Sequence, residues 1–90
     1  MNTDRKKAFL RSLKKISDTA LKAKVEKVYQ TVKTAKTMHD IPNLQKVEGC
    51  PKGISYRIRI GRYRIGVEIE RDLVTFLKFG PRNIFYKTFP

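Results

Sequence analysis

The sequence contains few of the residues on which disulfide, metal and membrane chemistry depend. It has one cysteine, one histidine and no tryptophan, so no disulfide can form within the chain. Its acidic residues are scattered, and none has ligand spacing with the histidine. We therefore expect neither a metal nor a cofactor. No apolar run is long enough to span a membrane, and the single Cys50 is typical of a protein in the reducing cytoplasm.

Acidic residues are scarce, whereas basic residues are abundant. There are 21 lysines and arginines against 8 aspartates and glutamates, a formal net charge of +13 at pH 7. A protein with so large a net positive charge attracts polyanions such as RNA, DNA or an acidic protein. The charge therefore predicts a polyanionic substrate or an acidic partner, and a surface that only keeps the chain in solution is the alternative.

The spacing of apolar residues divides the chain near residue 40. Before that point it is helical and predicts helices at about 4–17, capped by Thr3 or Asp4, and at about 19–37. A short turn joins them and favours an antiparallel helical hairpin. Pro42 ends the second helix. We expect a single domain over 1–90, with the hairpin at about 4–37 and an antiparallel sheet and tail at about 44–90.

Beyond residue 53 the pattern predicts three strands, Ile54–Ile60, Tyr63–Glu70 and Leu73–Phe79. Gly61 and Arg62 form a two-residue turn of the Gly-X type between the first two. The third strand is apolar on both faces, which is typical of a strand inside a sheet. The fold class is therefore α+β, with the helices packed on a small antiparallel sheet.

A two-residue turn fixes the register of the first two strands. It sets Arg59 opposite Arg64, and Arg57 opposite Gly66, on the face away from the apolar residues. Like charges opposed at a Cβ separation of about 5 Å destabilise a sheet by some tenths of a kcal/mol. Such arginines are either splayed into solvent or gathered around an anion. Three of them, with a glycine leaving open space, favour an anion site, and the guanidinium group suits phosphate oxygens.

The irregular tail adds an arginine and an aromatic residue to this set. Tyr86 follows Arg82 by four residues. A tyrosine beside basic groups can stack on an unpaired base, as in proteins that bind single-stranded RNA. The tail therefore extends the predicted anion site toward a nucleic acid.

The string YRIRIGRYRIG at 56–66, followed by an apolar strand and PRNIFYKTFP at 81–90, resembles the RelE/ParE superfamily of bacterial type II toxin–antitoxin toxins. The resemblance covers about residues 8–90. It implies the RelE-like microbial RNase-type fold, a helical hairpin on a small twisted antiparallel sheet. Members of the family begin with a strand, which is short or absent here because about three residues precede Asp4.

RelE-like members cut mRNA on the ribosome without a metal, using the RNA 2′-hydroxyl as the nucleophile. By resemblance, Arg64 and Arg82 clamp the scissile phosphate, while Arg57 and Arg59 stabilise developing charge and the leaving 5′-oxygen. Tyr86 stacks on a base or helps to move a proton. Arginine, whose pKa lies far above neutral pH, is a poor general acid or base. Either Tyr86 transfers the proton or catalysis is mainly electrostatic.

The resemblance also implies partners and a location. They are the ribosome with its mRNA, and an acidic antitoxin that wraps the basic face or a sheet edge in a toxin–antitoxin hetero-oligomer in the cytoplasm. Two other functions share the fold, a ParE-like inhibitor of DNA gyrase and an RNA- or ribosome-binding module without catalysis. The arginines and Tyr86 favour the endoribonuclease.

Overall fold

The computed structural model describes residues 1–50 and 52–83 and has two helices on one face of a five-stranded sheet. The strand order is β1-β5-β4-β3-β2. The helices are α1 (Lys7–Lys14) and α2 (Thr19–Thr34), and a short 3-10 helix covers Met38–Asp40. The strands are β1 (Asn2–Arg5), β2 (Leu44–Lys46), β3 (Ser55–Ile60), β4 (Tyr63–Glu70) and β5 (Leu73–Pro81). No helix within the described residues is long and apolar enough to cross a membrane.

The N-terminus corrects two sequence-based predictions. Residues 2–5 form β1, which pairs in parallel with β5, so the sheet is mixed rather than wholly antiparallel. The first helix begins at Lys7 instead of residue 4, and Asp4 lies in the strand, where it cannot cap a helix. Pairing with β5 decides this conformation, since the Asn2 N–H donates to the Asp72 carbonyl at 2.8 Å. The short N-terminal strand that the resemblance allowed is therefore present.

Caps at both ends set the length of α2. The Asp18 side chain accepts a hydrogen bond from the Leu21 N–H at 3.1 Å and satisfies a free donor of the first turn. At the other end, the helix stops at Thr34 and not at residue 37. The Asp40 carboxylate accepts the N–H groups of Lys36 and Thr37 at 3.1 and 3.2 Å, which starts the 3-10 helix instead.

The β3–β4 hairpin has the predicted register. Arg59 lies opposite Arg64, Ile58 opposite Ile65, and Arg57 opposite Gly66. The turn at Gly61 requires a φ of +55°, a conformation that glycine adopts without steric cost. The sequence analysis missed β2, whose three residues pair with β3 and place Gln45 opposite Arg57.

Strand β5 lies between β1 and β4 and contains a β-bulge. Gly66 of β4 pairs with Lys78, but the next residue, Val67, pairs with Phe76. Leu77 is therefore the extra residue, and it shifts the alternation of side chains by one position. The shift allows Phe76 and Phe79, three residues apart, both to be buried in the core.

Aromatic and branched side chains fill the core between the helices and the sheet. Phe76 of β5 is fully buried and lies at the centre of an aromatic cluster. Its ring centroid is 5.3 Å from that of Phe9 in α1 and 5.1 Å from that of Tyr29 in α2, both in edge-on geometry. Such pairs contribute about 0.5–1.5 kcal/mol beyond the area that they bury. Because this core lies between the helices and one face of the sheet, the opposite face of the sheet takes no part in it.

Candidate functional site

The face of the sheet opposite the helices, called the outer face below, carries two rows of basic residues and glycines. One row crosses the strands as Gln45, Arg57, Gly66 and Lys78. The other crosses them as Arg59, Arg64 and Gly80. Directly opposed residues of neighbouring strands share a face. The three arginines predicted for one face therefore do lie there.

Arg57 and Arg59 have different surroundings on β3. Arg57 is half-buried, and its Nε donates a hydrogen bond to the Gln45 side-chain oxygen at 3.2 Å. Arg59 is exposed and lines a cleft of about 540 Å³ between β3 and α2, together with Lys24 and Lys27. The first arginine is thus oriented by a neighbouring strand, and the second borders a basic cleft at the edge of the sheet.

Arg64 is the most constrained of the predicted site residues that the structure describes. Its residue surface is only 6% exposed. The Nη1 group donates to the backbone carbonyls of Gly61 and Tyr63, each at 2.9 Å. The Nε group is buried and has no hydrogen-bond partner within the described residues. A buried donor without a partner costs about 1–3 kcal/mol, so the site holds a cation whose hydrogen-bonding capacity is not used up by residues 1–50 and 52–83.

A second cleft, called the turn cleft, brings Arg64 and Arg82 together. It has a volume of about 490 Å³ and is lined by Gly61, Arg62, Arg64, Pro81, Arg82 and Asn83. The end of β5 reaches the hairpin turn here, because the Arg82 N–H donates to the Arg62 carbonyl at 2.8 Å. Residues that are 18 positions apart in the sequence thus surround one cavity.

The structure does not unite all five predicted site residues. Arg64 and Arg82 share the turn cleft, Arg57 lies in the neighbouring row of the outer face, and Arg59 borders the cleft beside α2. Tyr86 lies outside the described residues. Gly66 is buried, so the open space that the sequence predicted above it is not a wide solvent-filled opening.

Sequence reasoning missed two basic residues near this site. Arg62 lines the turn cleft, and its position in the turn beside Arg64 was the available signal. Lys78 lies on the outer face because of the bulge in β5. The spacing of three between Phe76 and Phe79 was the signal for that bulge, since two core residues of a regular strand are separated by an even number of positions.

The local electrostatics favour an anion over a metal ion. Within residues 1–50 and 52–83, ion pairs join Arg5 to Glu26 at 3.8 Å and Lys6 to Asp4 at 3.4 Å, and no carboxylate pairs with Arg59 or Arg64. The same residues contain no group of three or more side chains that could hold a metal ion. Guanidinium groups without acidic partners suit a phosphate group.

Two helices over a five-stranded sheet form the α+β architecture that the resemblance to RelE predicts. No model of a known protein family matches the chain. The chain is 27% identical over 85 residues to Toxin RelE3 of Methanocaldococcus jannaschii, and the match covers 93% of each chain. The resemblance predicted from the sequence is thereby confirmed.

Solved structures agree on the fold. A chain of the RelB–RelE antitoxin–toxin complex from Methanococcus jannaschii matches with a TM-score of 0.80 and 24% identity, covering 97% of this chain and 99% of that one. The archaeal RelE–RelB complex from Pyrococcus horikoshii gives 0.70 and 19%, covering 90% and 93%. The isolated E. coli RelE toxin gives 0.64 and 14%, covering 96% and 92%. The α+β class with a RelE-like fold is confirmed.

Proposed function

We propose that the chain is the toxin of a type II toxin–antitoxin system and that it inhibits translation by cutting mRNA on the ribosome. The observation that carries this proposal is that Arg64 and Arg82 line one cleft, while Arg57 and Arg59 lie on the same face of the sheet as Arg64. The similarity to Toxin RelE3 supports the toxin assignment. A bound RNA would offer its phosphate groups to these guanidinium groups.

Arg64 and Arg82 are the proposed clamp on the scissile phosphate. Arg64 lies in β4 and Arg82 directly follows β5, but both line the same cavity. Arg64 is held in place by two backbone carbonyls, while its Nε group is a donor that no described residue uses. A donor fixed before the substrate arrives stabilises developing negative charge without reorganisation, and removing one such donor slows a reaction by about 10²–10³-fold.

Arg57 and Arg59 are the proposed stabilisers of charge on the phosphate and on the leaving 5′-oxygen. The hydrogen bond from Arg57 to Gln45 limits the orientations of that guanidinium group. Tyr86 is proposed to stack on a base or to move a proton. The 2′-hydroxyl of the RNA is the nucleophile in this scheme, so the enzyme needs positioning and electrostatic stabilisation but no nucleophile of its own.

The proposed partners are the ribosome, its mRNA and an acidic antitoxin. The excess of basic over acidic residues, 21 against 8, favours long-range attraction to both RNA and an acidic protein. Chains in two of the matching structures are in complexes with the antitoxin RelB. We propose that this chain forms a similar hetero-oligomer in the cytoplasm, with the antitoxin neutralising the basic surface.

Induced expression in bacteria tests the function. Wild-type protein is expected to stop growth and protein synthesis, with primer extension mapping breaks inside codons of translated messages. Arg82→Ala is expected to relieve the arrest, because Arg82 is exposed and its loss leaves the core intact. The folded state of this variant is checked by its urea unfolding midpoint.

Two outcomes would contradict the proposal. Full toxicity of both Arg64→Ala and Arg82→Ala would show that the proposed site is wrong. Intact messages together with broken or tangled chromosomes would assign the chain to inhibition of DNA gyrase instead.

A further inference from the structure

Lys78 lies on the outer face next to the proposed site, and the roles above do not use it. The bulge at Leu77 pairs Lys78 with Gly66, which in turn lies opposite Arg57 on its other side. Neighbouring strands are about 4.8 Å apart, so the backbones of Lys78 and Arg57 are separated by about 10 Å across a residue with no side chain. Gly66 itself is buried, and a phosphodiester bound over this part of the outer face would lie between two long cationic side chains.

The Lys78 ammonium group has no acidic partner in the described part of the chain. The residue is half-buried, and the ion pairs among residues 1–50 and 52–83 are formed by Arg5 and Lys6. An ammonium group without a carboxylate partner is available to the oxygens of a phosphate group. This position is therefore suited to an anionic ligand.

Lysine also supplies chemistry that the arginines cannot. A guanidinium group stays protonated at any ordinary pH, whereas an ammonium group can transfer a proton. The outer-face rows contain the guanidinium groups of Arg57, Arg59 and Arg64, and one ammonium group, that of Lys78. Lys78 is thus the basic residue of these two rows that is able to protonate a leaving oxygen.

We propose that Lys78 is the general acid of the reaction, an inference that rests on the proposed nuclease function. The 2′-oxygen forms a bond to phosphorus and gives its proton to water. The bond from phosphorus to the 5′-oxygen breaks, and its electron pair goes to that oxygen. Lys78 Nζ donates a proton to the 5′-oxygen, becomes a neutral amine, and regains a proton from water. The products are a 2′,3′-cyclic phosphate and a 5′-hydroxyl.

Changing the leaving group tests this role separately from binding. Ribosomes are programmed with a message whose cut bond carries either the normal 5′-oxygen or a bridging 5′-sulfur, which leaves as a thiolate and needs no proton. Single-turnover cleavage is compared for the wild type, Lys78→Met and Lys78→Arg. Lys36→Met serves as the control for loss of charge, because Lys36 is exposed and follows α2.

Both Lys78 variants are expected to cut the normal message about 10²–10⁴-fold more slowly than the wild type, the usual contribution of general acid catalysis. On the sulfur-containing message they are expected to regain a rate close to that of the wild type, while Lys36→Met stays close to the wild type on both. Lys78→Arg keeps the positive charge, so it also covers the case in which Lys78→Met fails to fold.

The two possible failures are distinguishable. Equal losses on both messages, or a full rate for Lys78→Arg on the normal message, would overturn the general-acid role while leaving the nuclease function intact. A wild-type protein that cuts neither message would overturn the proposed function, and the role of Lys78 with it.

Discussion

Replacing Arg64 with methionine separates a catalytic role of this residue from a structural one. Methionine keeps an unbranched apolar side chain in a position that is only 6% exposed, but it removes the whole guanidinium group. Arg64 joins its own hairpin turn through two hydrogen bonds. If the main role of Arg64 were to form these two hydrogen bonds, Arg64→Met would lower the stability of the protein together with its activity.

The structure predicts that the effects on stability nearly cancel. Two hydrogen bonds from a charged donor contribute about 1.5–3 kcal/mol each, so their loss destabilises by roughly 3–6 kcal/mol at most. The Nε donor, which has no partner among the described residues, costs about 1–3 kcal/mol, and burying a cation costs several kcal/mol. Both penalties vanish in Arg64→Met. We expect a change in the free energy of unfolding of less than about 2 kcal/mol.

The expected effect on cleavage is much larger. Loss of a preorganised donor to the phosphate reduces the rate by about 10²–10³-fold. Urea unfolding measures the first quantity, and single-turnover cleavage on programmed ribosomes measures the second. Arg64→Lys is the matched control, since it keeps the charge but not the planar fork. A loss of stability above about 4 kcal/mol, or an unchanged cleavage rate, would refute the assignment of Arg64 to the phosphate.

Two further predictions concern the fold that supports the site. Gly61→Ala is expected to lower the free energy of unfolding by about 1–2 kcal/mol, because Gly61 has a φ of +55°. Gly80→Ala is the control, because Gly80 has open space around it and no positive φ, and this change should be neutral or slightly stabilising. Equal losses of unfolding free energy for the two variants, measured with urea, would be inconsistent with strain in the turn. Phe76→Ala is expected to cost about 3–5 kcal/mol at a fully buried site, against under about 1 kcal/mol for Leu73→Ala, which is 43% exposed. A similar, small loss for both would show that Phe76 is not in the core.

The register of the arginines was predictable because two independent signals agreed. The apolar alternation of β3 and β4 fixes which face is buried, and the Gly61–Arg62 turn fixes the pairing. A shift by one residue would have exposed the apolar face, so only one register was consistent. Burial of Ile58 and Ile65 at 1% and 0% exposure confirms that choice.

Other features depend on contacts that local sequence does not encode. The segment Asn2–Arg5 has no strand pattern, and it is extended because it pairs with β5 and because the Thr3 hydroxyl lies 2.9 Å from that of Tyr29. Tertiary pairing overrides the weak preference of such short segments. The folding of Arg64 back onto its own turn depends on a side-chain conformation. For this reason the sequence predicted its face of the sheet but not its burial.

The single extra residue at Leu77 also affects how this chain should be compared with its relatives. If Leu77 were paired regularly and β5 had no bulge, Lys78 would point into the hydrophobic interior and Phe79 outward. A relative whose last strand lacks that residue would present its equivalent lysine one column earlier in an alignment. Residues of this strand in two relatives are therefore functionally equivalent when their side chains lie on the same face of the sheet. An alignment that misplaces a gap by one position would separate two lysines that share the proposed role of proton donor, or would align two lysines that do not share it.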